Sequence, residues 1–384
     1  MDNFPVELRH LLGLLRAALG TAPSARFAPT PSVDGPAFVA AVQRHRVGAF
    51  LRQRVPAAIQ ASLPTPVTRH LQRISDATAR RALSQAAEQI RLVNALDTAG
   101  IETIPVKGLV LAQELYGALG IRHVGDIDLL IRPAEATRAD LVLQAAGLTR
   151  TRPDFSLTPR QTREFVRLKP EFEYVQGGPA SLRIELLWRL EGLPEMESIW
   201  STARPCTLAG RATRTLAPEL NALYLFQHGA RHAWFRLFWL VDVALLLRAS
   251  NIDWSSTLQL ARRHRLERAL HQGVRLAVDL LGSAPPRALE SPATRRSPLN
   301  SLVAEAHRQI ARTPSLNESA GEWFRQALYR VRLQQGSRAK FAMMAPHLFS
   351  PLNWQTLPLP DRWYFVYYFA TPFLWFWRRI RRSR

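Results

Sequence analysis

The sequence predicts an α+β fold in which a small mixed β-sheet module lies between an N-terminal and a C-terminal helical region. Two patterns predict this arrangement. Apolar residues recur at three- and four-residue spacing up to Gly100 and again from about residue 217, as in helices that bury one face. Between these regions, short apolar runs end at glycine or proline, and several alternate apolar with polar residues, which is typical of strands.

The N-terminal helical region is expected to span residues 1–99. Its longest periodic segment, LQRISDATARRALSQAAEQIRLVNALDTAG, ends at Gly100, a residue type that often stops a helix. The α/β module is expected at 100–195. Its predicted elements are a strand in 102–108, a helix at 109–119, a strand at 126–131, a helix at 133–146 and a hairpin formed by EFEYV and LRIELLW around QGGPAS.

The chain after the module is expected to form a helical domain at 196–345 and an aromatic and basic tail at 346–384. Ten of the fifteen residues from Trp363 to Trp377 are aromatic, and five arginines follow them. Aromatic rings beside a basic cluster suit an interface with anionic lipids, so the tail is a candidate for contact with a membrane surface.

The composition favours anionic partners and a reducing compartment. The net charge is +21, and 48 of the 51 basic residues are arginine. Such a chain attracts nucleotides, nucleic acids and anionic lipids, but the arginines are scattered, so nucleic acid is a less favoured partner. Cys206 is the single cysteine, which excludes an internal disulfide. We expect a cytoplasmic protein, with a peripheral position on the inner face of the membrane as an alternative.

Two aspartates interrupt the apolar strand VGDIDLLIRP. Asp126 and Asp128 are two residues apart and so share one face of a strand, whereas Ile127, Leu129 and Ile131 share the other. Two neighbouring carboxylates repel each other unless a cation or water lies on their face. Mg²⁺ prefers oxygen ligands and is usually held by one or two carboxylates together with substrate phosphates. The pair therefore predicts a Mg²⁺ site, with Mn²⁺ as an alternative.

A third carboxylate on a neighbouring strand would complete a two-metal site. Glu185 in LRIELLW is the first candidate, and Glu173 in EFEYV is the second. Phosphate contacts are expected from Lys107 and Gly108, which lie where a predicted strand ends and a helix begins. A further phosphate contact is expected from Arg122. Each basic residue taken alone is better explained as part of a solvated surface, and only the combination points to a phosphate site.

The run IPVKGLVLAQELYGALGIRHVGDIDLLIRP and the later segment LYLFQHGARHAWFRLFWLVDVALLL resemble the uncharacterised bacterial nucleotidyltransferase family, within the DNA polymerase β-like nucleotidyltransferase superfamily. The resemblance spans roughly residues 85–250. The matching positions are Lys107, Gly108, Leu115, Tyr116, Arg122, the run Gly125 to Ile131, His228, His232, Trp234, Trp239 and Asp242.

The resemblance implies a mixed sheet flanked by helices, Mg²⁺ held by Asp126 and Asp128, and transfer of a nucleoside monophosphate from an NTP. It also implies Glu185 as the third carboxylate, although Leu187 stands where the family pattern has histidine. His228 and His232 lie one helical turn apart, and the match favours a position near the active site. For Asp242, inside an apolar run, we expect a structural hydrogen bond to His or Arg.

Three functions follow from these observations. The first is a Mg²⁺-dependent nucleotidyltransferase in which Asp126, Asp128 and Glu185 are catalytic and bind metal. The acceptor is open: a small metabolite, a sugar, a peptide, a protein side chain or an RNA end all fit. The alternatives are a catalytically inactive nucleotidyltransferase-fold binding protein and a membrane-surface interaction protein that acts through residues 363–384.

Overall fold

The computed structural model describes residues 4–21, 34–177, 181–193, 196–290, 297–312, 320–336 and 351–382. It confirms the predicted α+β class, with helices before and after a small mixed sheet. The N-terminal helices are α1 (Val6–Ala18), α2 (Gly35–His45), α3 (Gly48–Arg54), α4 (Ala57–Ala61) and α5 (Thr65–Thr98).

The strands are β1 (Ile104–Val106), β2 (Asp126–Leu130), β3 (Leu148–Arg152), β4 (Glu171–Gln176), β5 (Leu182–Leu187), β6 (Arg204–Leu208) and β7 (Arg211–Thr215). The remaining helices are α6 (Gly108–Tyr116), α7 (Ala136–Ala145), α8 (Pro159–Leu168), α9 (Met196–Thr202), α10 (Pro218–Arg231), α11 (Leu237–Leu246), α12 (Trp254–Arg263), α13 (Glu267–Leu281), α14 (Ser297–Ala311), α15 (Ala320–Leu333), α16 (Leu352–Thr356) and α17 (Val366–Arg382).

The five-stranded sheet has the order β1-β2-β5-β4-β3, and β6 pairs with β7 in a separate two-stranded sheet. The predicted hairpin is present, since β4 and β5 pair antiparallel with Glu173 opposite Glu185. Strands β3, β6 and β7 were not predicted. Their sequences, LTRTR, RPCTL and RATRT, are mostly polar and partly exposed, so they lack the apolar alternation that marks a half-buried strand.

The chain divides into two compact units, each made of three separate segments. Unit 1 comprises residues 1–90, 104–127 and 191–334, and unit 2 comprises residues 91–103, 128–190 and 335–384. The predicted regions are consecutive in sequence, whereas the units combine parts of several regions. Strand β2 and helix α5 each contribute residues to both units.

The core of unit 1 depends on close approach of helices around Trp234, which is completely buried. A methyl group added to Gly229 on α10 would lie 2.3 Å from the Trp234 ring, and one added to Gly273 on α13 would lie 2.8 Å from it. Non-bonded carbon atoms in van der Waals contact lie about 3.5–4.0 Å apart, so both distances are too short for such a contact. Glycine is therefore required at both positions by packing.

The core of unit 2 is an aromatic cluster on one side of the β4–β5 hairpin. The ring of Phe172 lies 5.1 Å from that of Phe165 and 4.8 Å from that of Trp188. The Trp188 indole N–H donates to the Lys169 carbonyl oxygen at 2.7 Å, so its polar atom is satisfied inside the core. Trp188, at the end of the predicted strand LRIELLW, thus packs against Phe172 in the core of unit 2.

The C-terminal tail is anchored within unit 2 at its start. The Arg160 amide at the beginning of α8 donates to the Asp361 carboxylate at 3.1 Å, and the Arg160 guanidinium lies 4.7 Å from the centre of the Tyr364 ring. The side chains of the predicted arginine cluster after Trp377 lie outside the described residues. Within the described residues, no helix is both long enough and apolar enough to cross a membrane.

Candidate functional site

The turn from β1 to α6 holds the predicted phosphate-binding pair in an unusual conformation. Lys107 has φ 52° and ψ −133°, and Gly108 follows with φ 42°. A positive φ with this ψ is normally a glycine conformation, and for another residue it costs about 1–3 kcal/mol. Such strain persists where the surrounding structure fixes the backbone, and it is concentrated at ligand sites. Lys107 thus stands directly at the N-terminus of α6.

This turn packs beside α10 in unit 1. The Lys107 ammonium nitrogen lies 4.8 Å from the centre of the Tyr224 ring, a cation–π distance. His228 follows one turn later on α10, and the Lys107 charge lowers the pKa of His228 after the larger effect of burial. The structure therefore brings Lys107 and His228 into one neighbourhood, whereas the position of His228 near an active site stays a prediction.

His228 and His232 form an aromatic group with Trp239. The ring of His232 stacks on Trp239 at 5.3 Å, and the ring of His228 lies 5.5 Å from the same indole, nearly edge-on. Burial, then the charges of Arg231 and Lys107, lower the pKa of His232 to about 4. Both imidazoles are therefore neutral near pH 7 and serve as packed aromatic rings there.

Arg122 has a partner that the sequence prediction did not assign to it. Its Nε donates to Asp242 Oδ1 and its Nη2 to Asp242 Oδ2, both at 2.8 Å, and the pair is almost fully buried. The Tyr116 hydroxyl donates to the same Oδ1 at 2.5 Å. Two donors and the charge of Arg122 are thus engaged by Asp242, which gives this arginine a structural role; its contact with a phosphate stays a prediction. The expected partner of Asp242 is confirmed to be an arginine.

Arginines surround the segment that leads into β2. The Arg81 guanidinium donates to the Gly125 carbonyl oxygen at 3.2 Å. Arg46 Nη1 lies 3.3 Å from the point where a side-chain carbon on Gly125 would be. Burial and then Arg236 lower the pKa of Arg46 to about 10, while the Asp126 carboxylate opposes this. Asp126 thus begins β2 in a strongly positive environment.

The acidic pair lies at the start of β2 as predicted. Asp126 is half-buried, and Asp128 is buried with 3% of its surface exposed. A methyl group on Gly108 would lie 3.7 Å from the Asp126 carbonyl oxygen, so the Lys107–Gly108 turn runs close to the first aspartate. The turn and Asp126, which the sequence predicts for one site, are therefore neighbours in unit 1.

The further carboxylates lie on the β4–β5 hairpin of unit 2. Glu185 is half-buried and stands opposite Glu173, whose carboxylate accepts from Arg152 at 2.6 Å. Throughout the described parts of the chain, no group of three or more His, Cys, Asp or Glu side chains is arranged to hold a metal ion. The role of Glu185 as a third ligand stays a prediction.

Mg²⁺ fits the chemistry of the pair itself. Asp126 and Asp128 offer hard carboxylate oxygens from alternate positions of one strand. Two carboxylates are the usual protein contribution to Mg²⁺ in phosphoryl-transfer sites, where substrate phosphates and water provide the other ligands. The donor set therefore suits this ion without a third protein carboxylate.

Comparison with known proteins now identifies the family. The profile of the uncharacterised nucleotidyltransferase family matches residues 31–282, more than half of the chain and a wider span than the sequence motifs indicated. The chain belongs to the uncharacterised nucleotidyltransferase family. The family membership predicted from the Lys-Gly and Asp-x-Asp motifs is thus confirmed.

Part of the chain is similar to the solved structure of an antigenic nucleotidyltransferase-like protein from Paracoccidioides brasiliensis. It is 13% identical, with 55% of this chain and 96% of that chain covered and a TM-score of 0.32, a similarity that by itself identifies neither fold nor function. The comparison with curated proteins found no match.

Sequence reasoning missed the residues that give the surroundings of Asp126 their charge. Arg46 and Arg236 are distant in sequence; Arg46 lies outside both segments that resemble the family, and Arg236 lies in the later segment but is not one of the matching positions. In a chain with 48 arginines, single arginines give no signal of their own. Tyr224 was also missed, although it stands one helical turn before His228 and the same periodicity could have found it.

We predict that Asp242→Asn lowers the free energy of unfolding by about 3–5 kcal/mol, because it leaves the Arg122 guanidinium buried without a counter-charge. Denaturant unfolding measures the change. Glu267→Gln is the control: its carboxylate lies 3.5 Å from Arg262 on the surface, and its loss should cost under about 1 kcal/mol. Equal losses in the two variants would contradict the structural role of Asp242.

We predict that stability falls as the solution is acidified below pH 6.5. The Leu237 amide donates to Nδ1 of the buried His45, and burial followed by Arg44 lowers the pKa of His45 from 6.5 to about 3. As the solution is acidified, His45 is protonated at a higher pH in the unfolded chain than in the folded chain. Stability is therefore retained above pH 6.5 and lost as the pH falls from 6.5 toward 3.

The decrease in the free energy of unfolding that His45 causes should reach about 2 kcal/mol near pH 5. Urea unfolding at neutral and acidic pH should give a smaller drop for His45→Asn, which keeps an acceptor for the Leu237 amide but does not titrate. The same drop in both proteins would exclude His45 as its source.

Proposed function

We propose that the protein is a Mg²⁺-dependent nucleotidyltransferase that transfers a nucleoside monophosphate from an NTP to a hydroxyl group of an acceptor. The observation that carries the proposal is the position of the Asp126–Asp128 pair at the start of β2, beside the Lys107–Gly108 turn. Membership of the nucleotidyltransferase family supports it.

Different residues of the chain would bind the metal ion, bind the donor phosphates and accept the proton. Asp126 and Asp128 would hold Mg²⁺, or Mn²⁺ in its place, and the bound ion supplies neutralisation of phosphate charge and activation of the attacking oxygen. Lys107 and the first amides of α6 would bind donor phosphates. Glu185 is proposed as the third carboxylate, which accepts the proton of the acceptor hydroxyl. Most of the rate would come from positioning and charge neutralisation.

The neutral aromatic group around Trp239 supports the donor site in a second way. His228 and His232 have lowered pKa values, so they and Tyr224 present neutral rings near Lys107 rather than competing cations. The acceptor is left open among a small metabolite, a sugar, a peptide, a protein side chain and an RNA end.

We predict that the protein transfers label from an α-³²P-labelled NTP to an acceptor in a cell extract when Mg²⁺ is present. Asp128→Asn should reduce transfer by at least about 100-fold, as expected when a charge that holds the catalytic ion is lost. Asp154→Asn, an exposed aspartate of unit 2, should leave it unchanged.

Transfer that survives Asp128→Asn would refute this assignment of the site. NTP binding without transfer to any acceptor would favour the alternative, a catalytically inactive binding protein of the same fold. Leu187, which stands where the family pattern has histidine, motivates that alternative. Leu187→His would then be the variant to test for restored transfer.

A second candidate function is contact with a membrane surface through the tail. Six aromatic side chains on or next to α17 are exposed in unit 2: Trp363, Phe365, Tyr368, Phe369, Phe373 and Trp377. They stay exposed even though Tyr364 and Tyr367 nearby are buried. Aromatic side chains exposed along one helix are typical of a surface that inserts at the lipid interface.

We predict that Phe369→Ser with Phe373→Ser weakens flotation with vesicles that contain anionic lipid, because these are the two most exposed rings, at 73% and 78%. Leu141→Ser is the control, since Leu141 is also a large exposed apolar residue, at 63%, but lies on α7. Equal flotation of the three proteins, or flotation unaffected by removal of residues 363–384, would rule out the membrane function.

A further inference from the structure

Unit 1 contains a cavity of about 670 Å³ in which arginine is the commonest lining residue. The end of α2, the turn between α10 and α11, the end of α14 and helix α15 enclose it. Among the described residues that line it, none is Asp or Glu. The arginines are Arg44, Arg46, Arg231, Arg236, Arg312 and Arg330.

So many cations in one cavity repel each other unless an anion joins them. Burial, then the charges of Arg236 and Arg312, lower the pKa of Arg44, which is the expected effect of like charges held together. Carboxylates outside the cavity offset part of this repulsion: Glu191 pairs with Arg231, and Glu322 pairs with Arg312 at 2.5 Å.

Two of these arginines also keep unused donors. The Nε atoms of Arg44 and Arg236 are buried, and neither has a hydrogen-bond partner among the described residues. A buried donor without a partner costs about 1–3 kcal/mol, and an oxyanion is the acceptor that guanidinium groups bind best. Charge and hydrogen bonding therefore require the same kind of ligand.

The cavity also reaches the surroundings of Asp126. Arg46 and Arg236 both line it, and the Asp126 carboxylate acts on the pKa of each, opposing the larger lowering caused by burial. Arg46 additionally lies against Gly125. The arginines of the cavity lie on other elements than the β1–α6 turn, which carries Lys107. The cavity therefore offers a separate set of phosphate contacts.

We propose that this cavity binds a small molecule that carries two or more linked phosphate groups. Several planar guanidinium groups, each able to bind two oxygens, match the closely spaced oxyanions of a polyphosphate better than they match one carboxylate. A volume of about 670 Å³ suits a small ligand and is too small for a nucleic-acid duplex. The ring of Phe235 at the wall offers a surface for an attached base or other apolar group.

The assignment of this ligand as a substrate rests on the proposed nucleotidyl transfer, whereas its binding does not. Under that proposal two sources share the chemistry: the triphosphate of the donor NTP and a phosphorylated acceptor. Both would lie beside Asp126, where the bond to the α-phosphorus is exchanged.

Isothermal titration calorimetry with inorganic tripolyphosphate and without divalent metal tests the proposal on the full chain. We expect saturable binding that Arg330→Gln and Arg46→Gln each weaken by at least about tenfold, the loss of roughly one charge-assisted contact. Arg325→Gln is the matched control, because Arg325 lies exposed on α15 with Arg330 but outside the cavity. Thermal unfolding checks that each variant folds.

Competition distinguishes the two sources. Displacement of tripolyphosphate by a non-hydrolysable NTP assigns the cavity to the donor, and simultaneous binding of both assigns it to a phosphorylated acceptor; either result supports the proposal. Absence of tripolyphosphate binding, or binding that both cavity variants keep, overturns it. Asp128→Asn should retain tripolyphosphate binding, so lost transfer and lost binding report on the two proposals separately.

Discussion

The buried ion pair between Arg122 and Asp242 is the interaction on which the rest of unit 1 depends. A charge in the protein interior is stable only with a partner of good geometry, and here two parallel hydrogen bonds and the Tyr116 hydroxyl provide it. The pair joins the end of α6 and the segment before β2 to the middle of α11. Three separated parts of the sequence motif thus meet in one contact, which fixes the chain leading to Asp126. The family pattern at these positions is therefore a requirement of folding as much as of chemistry.

Around that fixed segment the protein concentrates positive charge and keeps its histidines neutral. Arg46, Arg81 and Arg236 stand near Gly125 and Asp126, and their repulsion makes a further protonated group in the same region unfavourable. His123 illustrates the effect, since burial and then Arg46 and Arg122 lower its pKa to about 3. The net charge of +21, which looked scattered in the sequence, is thus locally focused where a phosphorylated ligand would bind.

The parts of the structure that follow from local periodicity were predictable. The long helix α5, the strand around Asp126 and the β4–β5 hairpin each carry a complete signal within a few residues. The strands β3, β6 and β7 were missed because polar strands owe their pairing to neighbours that are remote in sequence. The same limit applies to the site: Lys107 and Asp126 stand in one motif, whereas the arginines of the cavity come from four separate elements. The structural role of Arg122 was not predicted, because a sequence shows a charge but not which buried carboxylate engages it.

The interleaving of the two units has a consequence for how the chain can be handled and how it can evolve. Going from one end to the other, the backbone passes between the units five times. No single cut separates them, so a fragment that ends before residue 334 leaves both units incomplete, and one that ends after it still lacks part of unit 2. Contacts between distant segments must form before either core closes, which favours slow folding and exposes apolar surface on the way. Because neither unit is a continuous segment, recombination cannot exchange one unit without the other. Gene fusion can add modules only at the ends of the chain or in its surface loops.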